Sequence, residues 1–262
     1  MDLGLKDKSV IVTAASKGIG KATALGFLQE GARVTICARD QQALEAAREE
    51  LQAATGGQIV AITADVSDPQ QLQALVSAAT AAHGETEVLV NNAGGPPAGS
   101  HTDISAQQWQ QAFDLTLQSA VRLTELVLPG MKKAGWGRVV NLSSYSVKQP
   151  MDNMMLSNSI RLSVLGWAKT LANEVAADGI LVNTVCPGWT DTARVASLLQ
   201  QKSAATGASV DEVRNDIAAN VPLGRIASAQ EIANVVVFLA SNSASYVTGA
   251  AIPVDGGAAK VL

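Results

Sequence analysis

Short runs of apolar, largely β-branched residues recur along the chain, each followed by a helix-length segment. This alternation limits the possible folds more than any other feature of the sequence. Six runs stand out: Ser9–Thr13, Arg33–Cys37, Gln58–Thr63, Glu87–Asn92, Gly137–Ser143 and Ile180–Cys186. They are apolar nearly throughout, as strands covered on both faces are. Between them, Gly18–Gln29, Gln41–Ala54, Pro69–Ala82, Ala106–Lys133 and Asn153–Ala177 place apolar residues at helical spacing. A helix at Ala229–Ala240 and a strand at Ala250–Val254 complete the pattern. Such alternation implies right-handed βαβ crossovers, so we expect a doubly wound α/β domain: a seven-stranded parallel sheet with helices on both faces.

The 262 residues suit one domain over 1–262 better than two. A chain of this size buries roughly three quarters of its unfolded surface and needs no disulfide or metal staple. Hydrophobic residues at 47% and charged residues at 16% exclude disorder. Aromatics at 3% and a net charge of −4 argue against nucleic acid and against an anionic membrane surface as partners. No run approaches the roughly 20 apolar residues of a membrane span. The first nine residues carry acids and lysines where a signal peptide needs an apolar stretch. Cys37 and Cys186 sit inside apolar runs and read as buried thiols, and no cluster has metal-ligand spacing. The expectation is a cytoplasmic protein.

Two segments fall outside the alternation: Ala93–His101, rich in glycine and proline, and an insertion at 188–222. Both follow strand ends, and ligands of doubly wound sheets bind beyond the carboxyl ends of the strands, so both should border the ligand. The first strand runs into Thr13-Ala14-Ala15-Ser16-Lys17-Gly18-Ile19-Gly20 and then a helix. Glycines there let backbone N–H groups approach a pyrophosphate, and the helix N-terminus favours its charge. With a βαβ unit around it, this is a Rossmann-type dinucleotide turn.

From this point the chain resembles the short-chain dehydrogenases/reductases, most closely their 3-oxoacyl-(acyl-carrier-protein)-reductase-like branch. The marks are the glycine turn, Asp65-Val66, Asn91-Asn92-Ala93-Gly94, Pro187-Gly188 and Val254-Asp255-Gly256-Gly257, in order along essentially the whole chain. Ala14 stands where the family fingerprint has its first glycine. The resemblance implies cofactor contacts from Thr13, Ala15, Ser16, Lys17, Gly18, Ile19 and Gly20 in the turn. Further along it implies contacts from Arg39, Asp65, Val66, Asn91, Ala93, Gly94, Arg161, Pro187, Gly188, Thr190 and Thr192. NAD-preferring members carry an acid at the end of the second strand to hold the ribose 2′-hydroxyl. Here that place is Ala38, followed by Arg39, and Lys17 is in the turn. Two cations suit a 2′-phosphate, so NADP(H) is expected over NAD(H), with Asp40 as a complication.

The resemblance also implies an Asn–Ser–Tyr–Lys tetrad, and here the pattern breaks. Ser144 matches the family serine, but the tyrosine place is Ser157, the lysine place Arg161 and the asparagine place Thr116. Ala168-Lys169-Thr170-Leu171-Ala172 fixes that register. An aliphatic hydroxyl is far less acidic than a phenol, and arginine does not shuttle protons. Ser157 and Arg161 are therefore expected to line the nicotinamide end without acting as the proton-transfer pair. Arg161 either clamps a substrate carboxylate or phosphate, or replaces lysine as a ribose-binding cation. The proton must then come from Lys148 or Tyr145 on the loop after Ser144, from solvent or from the substrate itself, with Lys148 preferred. His101 reads as a solvated loop residue, and the Met151, Met154 and Met155 cluster as packing or a subunit contact before an adaptable apolar substrate wall. These residues point to an oxidoreductase acting on a carbonyl/alcohol pair with an altered acid–base site. Its alternatives are a dinucleotide-binding protein with little redox activity, or a lyase or isomerase using the same cleft. A homotetramer or dimer is implied by the resemblance, and the helices at 106–133 and 153–177 and the tail at 258–262 supply apolar contact surface.

Overall fold

The computed structural model describes residues 2–260. Val261 and Leu262, the end of the tail assigned to subunit contact, lie outside the described residues. Seven strands form one sheet: β1 (Ser9–Val12), β2 (Arg33–Ala38), β3 (Ile59–Thr63), β4 (Val88–Asn91), β5 (Gly137–Leu142), β6 (Ile180–Pro187) and β7 (Ala251–Val254). Their order is β3-β2-β1-β4-β5-β6-β7, and every pairing is parallel. Successive residues feed opposite cores. Val10 and Val12 of β1 pack with Phe27, Leu44 and Val236, while Ile11 packs with Leu72, Leu123 and Met131. All three β1 residues are fully buried, and each such side chain contributes about 1.5–3 kcal/mol. One layer holds α1 (Gly18–Gln29), α2 (Gln41–Thr55) and α9 (Ala229–Leu239). The other holds α3 (Pro69–His83), α5 (Ser119–Ala134) and α6 (Met155–Val175).

Two expectations change. The segment 106–133 is two helices, α4 (Ala106–Phe113) and α5, separated by a π-helical turn at Asp114–Gln118. The wide turn inserts an extra residue into the helical repeat and carries Thr116 inward, to 8% exposure. The insertion at 188–222 also holds two helices, α7 (Ala193–Thr206) and α8 (Val210–Ala219). Val195, Leu199, Val213 and Ile217 form a small core of their own between them. The signals were present: Thr192 caps α7, Gly207 ends it in a left-handed conformation, and Ser209 with Glu212 forms a capping box on α8.

At the first turn Ala14 adopts φ +48°, a left-handed conformation that costs a residue with a Cβ about 1 kcal/mol or more. Gly20 is held to glycine by space, since a Cβ there would lie 2.5 Å from the Ala14 carbonyl oxygen. Among the described residues no helix is long and apolar enough to cross a membrane.

Urea unfolding tests this turn. Ala14→Gly is expected to stabilise by up to about 1 kcal/mol, the strain relief being partly offset by a more flexible unfolded chain. Gly20→Ala is expected to destabilise by more than about 2 kcal/mol. A harmless Gly20→Ala would show that the turn is looser than described.

Candidate active site

Between β1 and β4 the strand order reverses, and the turn after β1 and the loop after β4 diverge. A cavity of about 760 Å³ opens there, its walls running from the glycine turn to the insertion at 188–222. Thr13 and Asn92 clasp the switch point. The Thr13 hydroxyl donates to the Asn92 carbonyl at 2.7 Å and accepts from the Asn92 N–H at 2.8 Å. The Asn92 amide in turn donates to the Thr13 and Ala14 carbonyls.

The sequence-expected cofactor residues divide into two sets. Ser16, Lys17, Gly18, Ile19, Arg39, Asp65, Val66, Ala93, Gly94, Arg161, Pro187, Gly188, Thr190 and Thr192 line the cavity. Thr13, Ala15, Gly20 and Asn91 stand behind that wall. Thr13 is occupied by Asn92, the Ala15 N–H donates to Cys37, and Gly20 packs under Ala14. The Asn91 amide donates to Thr124 and Asn141. These four shape the wall from behind.

The residues present fit a dinucleotide. Helix α1 starts at the cavity with no side-chain cap and no acid in its first turn, so its N–H groups are free to meet an anion. Thr192 closes over that turn, its Cγ2 lying 3.2 Å from where a Cβ on Gly18 would be. Beyond β2, the Asp40 carboxylate accepts from the Ala43 N–H at 3.0 Å and caps α2, so the complication it posed is absorbed structurally. Arg39 lies 3.9 Å from Asp65 with its side chain 74% exposed, and Asp65 is itself held by the Ser67 N–H and hydroxyl. The Arg39 guanidinium is therefore mobile enough to meet a phosphate.

At the other end, Ser144, Tyr145, Ser157 and Arg161 share the wall. Ser144 Oγ accepts from the Ser146 N–H at 3.1 Å and caps the short turn Tyr145–Val147, which presents Tyr145 to the cavity. Lys148, the preferred proton donor, is not on the cavity wall. It ends the turn half-buried, with its charge acting on the Cys186 thiol. Burial pushes the Tyr145 phenol above its ordinary value, the Trp189 indole beside it works the other way, and Asp255 adds to the rise. Arg161 is buried between α6 and the end of β5, at the cavity wall. Its Nη1 donates to the Ser143 carbonyl at 2.7 Å and the Leu142 carbonyl at 3.2 Å. Burial pulls its pKa down to about 10, helped by the charge of Arg194 and opposed by Cys186, so it stays cationic at neutral pH.

Behind Arg161 a pocket of about 20 Å³ is lined by Thr116, Asn91 and Asn141. Thr116 Oγ1 and Asn141 Nδ2 have no protein partner there, and the space suits one water molecule. Cys37 and Cys186 are buried and free, with burial pushing their thiols up to about 12 and about 11. His101 is exposed and off the wall.

Sequence reasoning missed Arg194, Trp189 and Leu198, all on the insertion, because that segment was given no secondary structure. Met151 and Met154, read first as packing or a subunit contact with an adaptable apolar substrate wall as the other reading, both line the cavity.

A family model described as enoyl-(acyl carrier protein) reductase matches residues 13–259. A putative ketoacyl reductase of Streptomyces coelicolor is 36% identical over 249 residues, 94% of this chain and 95% of the other. The 3-oxoacyl-(acyl-carrier-protein) reductase FabG of Escherichia coli is 34% identical over 257 residues, covering 97% and 98%. Among solved structures, L-sorbose reductase from Gluconobacter frateurii, complexed with NADPH and L-sorbose, superposes with a TM-score of 0.95. That match has 33% identity and covers 100% of both chains.

The chain has two tyrosines, so a Tyr246→Phe variant leaves Tyr145 alone to report. Its phenolate absorbance is expected to develop above pH about 10, on the alkaline side of an ordinary tyrosine. Ionisation below that value would mean that a cation faces the phenol directly.

Proposed function

This chain belongs to the short-chain dehydrogenase/reductase family, in the branch of the 3-oxoacyl-(acyl-carrier-protein) reductases, and on that premise we propose that it reduces a carbonyl substrate with NADPH through an altered acid–base site. It is an oxidoreductase, and it uses NADP(H). The observation that carries the finer reading is the wall shared by Ser144, Tyr145, Ser157 and Arg161, set opposite the free N-terminus of α1 in one cavity. The Rossmann fold alone would not choose a chemistry.

Ser16 to Ile19, Thr190 and Thr192 would hold the cofactor's phosphates and nicotinamide, and Arg39 with Lys17 its 2′-phosphate. When bound, NADPH supplies the hydride that reaches the carbonyl carbon. The protein's task is to orient the carbonyl and bring a proton to its oxygen. Ser144 and Tyr145 offer hydroxyl donors on that wall, and Arg161 supplies a fixed positive charge that favours the developing alkoxide. An alkoxide is far more basic than a phenolate, so Tyr145 yields its proton downhill even with a raised pKa. Solvent, reaching the open cavity, then restores it.

We also assign the protein to the cytoplasm and to a dimer or tetramer. On the long helix α6 Leu162 is 51% exposed, and Tyr246 near the carboxyl end is fully exposed. Both are apolar surface of the kind that subunit contacts cover.

NADPH oxidation against a panel of ketones and aldehydes, beside direct NADPH binding, tests the reading; tight NADPH binding without turnover of any panel member would reject it. Arg39→Ala should weaken NADPH binding about tenfold and leave NADH binding nearly unchanged. Equal loss for both would remove Arg39 from 2′-phosphate recognition. Light scattering at micromolar concentration is expected to give a mass of two or four chains, and a monomer would refute the assembly.

A further inference from the structure

The chemical end of the cavity carries two arginines and no acid. Arg161 is one. The other is Arg194, in the first turn of α7, which crosses to the loop after β4 and donates from Nη2 to the Pro96 carbonyl at 2.7 Å. A Cβ on Gly95 would lie 3.1 Å from Arg194 Nε, so the loop's glycine makes room for the guanidinium. The two arginines lie close enough that the charge of Arg194 helps depress the Arg161 pKa, and burial lowers that of Arg194 too. Among the described residues neither forms an ion pair.

Most carboxylates of the surrounding elements have partners of their own, although the charge of Asp255 still reaches Tyr145. Asp191 pairs with Arg214 at 2.9 Å. Asp255 accepts from the Gly257 and Ala259 N–H groups at 2.9 Å each. Asp103 is taken by Ser100. Asp152 is exposed and off the wall, and the two acids that do line the cavity, Asp40 and Asp65, stand at the far end with Arg39. A buried guanidinium beside a half-buried one, neither paired with an acid, favours a ligand that brings negative charge.

The cofactor's pyrophosphate does not answer this demand, because its place is at Ser16–Ile19 under Thr192. Arg194 stands instead against Gly95 and Pro96, on the wall of the cavity that Tyr145 and the methionines also line. Resting on the reductase reading above, we propose that the substrate is an oxo acid: a small carbonyl compound with a free carboxylate gripped by Arg194, with Arg161 behind the reacting carbonyl. Met151, Met154 and Leu198 would cover its apolar part. A guanidinium fork matches a carboxylate with two parallel charge-assisted hydrogen bonds, which also fixes where the carbonyl lies relative to the hydride.

The test compares 2-oxo-, 3-oxo- and 4-oxopentanoate with their methyl esters in NADPH oxidation, using the full chain and its Arg194→Gln variant. At least one acid is expected to exceed its ester about ten- to a hundredfold in kcat/KM, the worth of a charge-assisted hydrogen bond. In Arg194→Gln that preference should collapse toward one, while the Kd for NADPH stays within about twofold. Esters reduced as well as acids would overturn the oxo-acid proposal and leave the reductase reading standing. A parallel loss of NADPH affinity in Arg194→Gln, with the acid preference intact, would assign Arg194 to the cofactor and also overturn it. If none of these compounds is turned over, the reductase reading is left to the wider ketone and aldehyde panel, and calorimetry with NADP⁺-loaded protein decides the anion site. Saturable binding of an oxopentanoate that is lost with its ester and in Arg194→Gln supports the anion site, and equal binding of acid and ester rejects it.

Discussion

The parallel pairing of β1 with β4 is the constraint on which the rest of the molecule depends. Val10, Ile11 and Val12 stand beside Val88, Leu89 and Val90, all fully buried. The sheet is wound outward from this pair in both directions, so the chain leaving β1 and the chain leaving β4 go to opposite faces. The backbone between them has no neighbour to pair with, and the crevice is the result. The Thr13–Asn92 clasp keeps that crevice at fixed width. Ala14, in its left-handed conformation, turns the chain sharply enough to start α1 at the rim. Each site residue is then placed by its distance along the chain from a strand end.

The second constraint is electrostatic. Arg161 is buried, and two backbone carbonyls at the end of β5 hold its guanidinium. The same contact pins α6 to the strand that carries Ser144, so the cation and the hydroxyls share one rigid frame. A lysine in that place would hold a proton it can exchange; a guanidinium with its pKa near 10 stays charged throughout the neutral range. On the proposed reading the site is a fixed field with hydroxyl donors in it, and proton supply falls to Tyr145 and solvent. Arg194 extends that field toward the substrate.

The strands were legible because parallel strands buried on both faces leave unbroken apolar runs, and all seven fall within a residue or two of the runs that announced them. The glycine turn was legible because Gly18 and Gly20 answer to backbone geometry. Helix α7 was missed although Thr192 and Gly207 mark its ends, because the insertion was read as a loop, and Arg194 went with it. The π-helical turn at Asp114–Gln118 left no mark, since a wide turn keeps nearly the same apolar spacing as the helices on either side. Lys148 was preferred over Tyr145 on chemistry alone. Which of two neighbours on a tight turn faces the cavity depends on the Ser144 cap, a local hydrogen bond that spacing does not encode.

The central claim is that a phenol outside the family's usual place has taken over delivery of the proton. Single-turnover NADPH oxidation with the best ketone of the panel, in the wild type and in Tyr145→Phe, tests it most directly. The account predicts a hydride-transfer rate lower by roughly 10²-fold or more in Tyr145→Phe, with NADPH affinity unchanged. An undiminished rate would contradict it and leave solvent as the proton source.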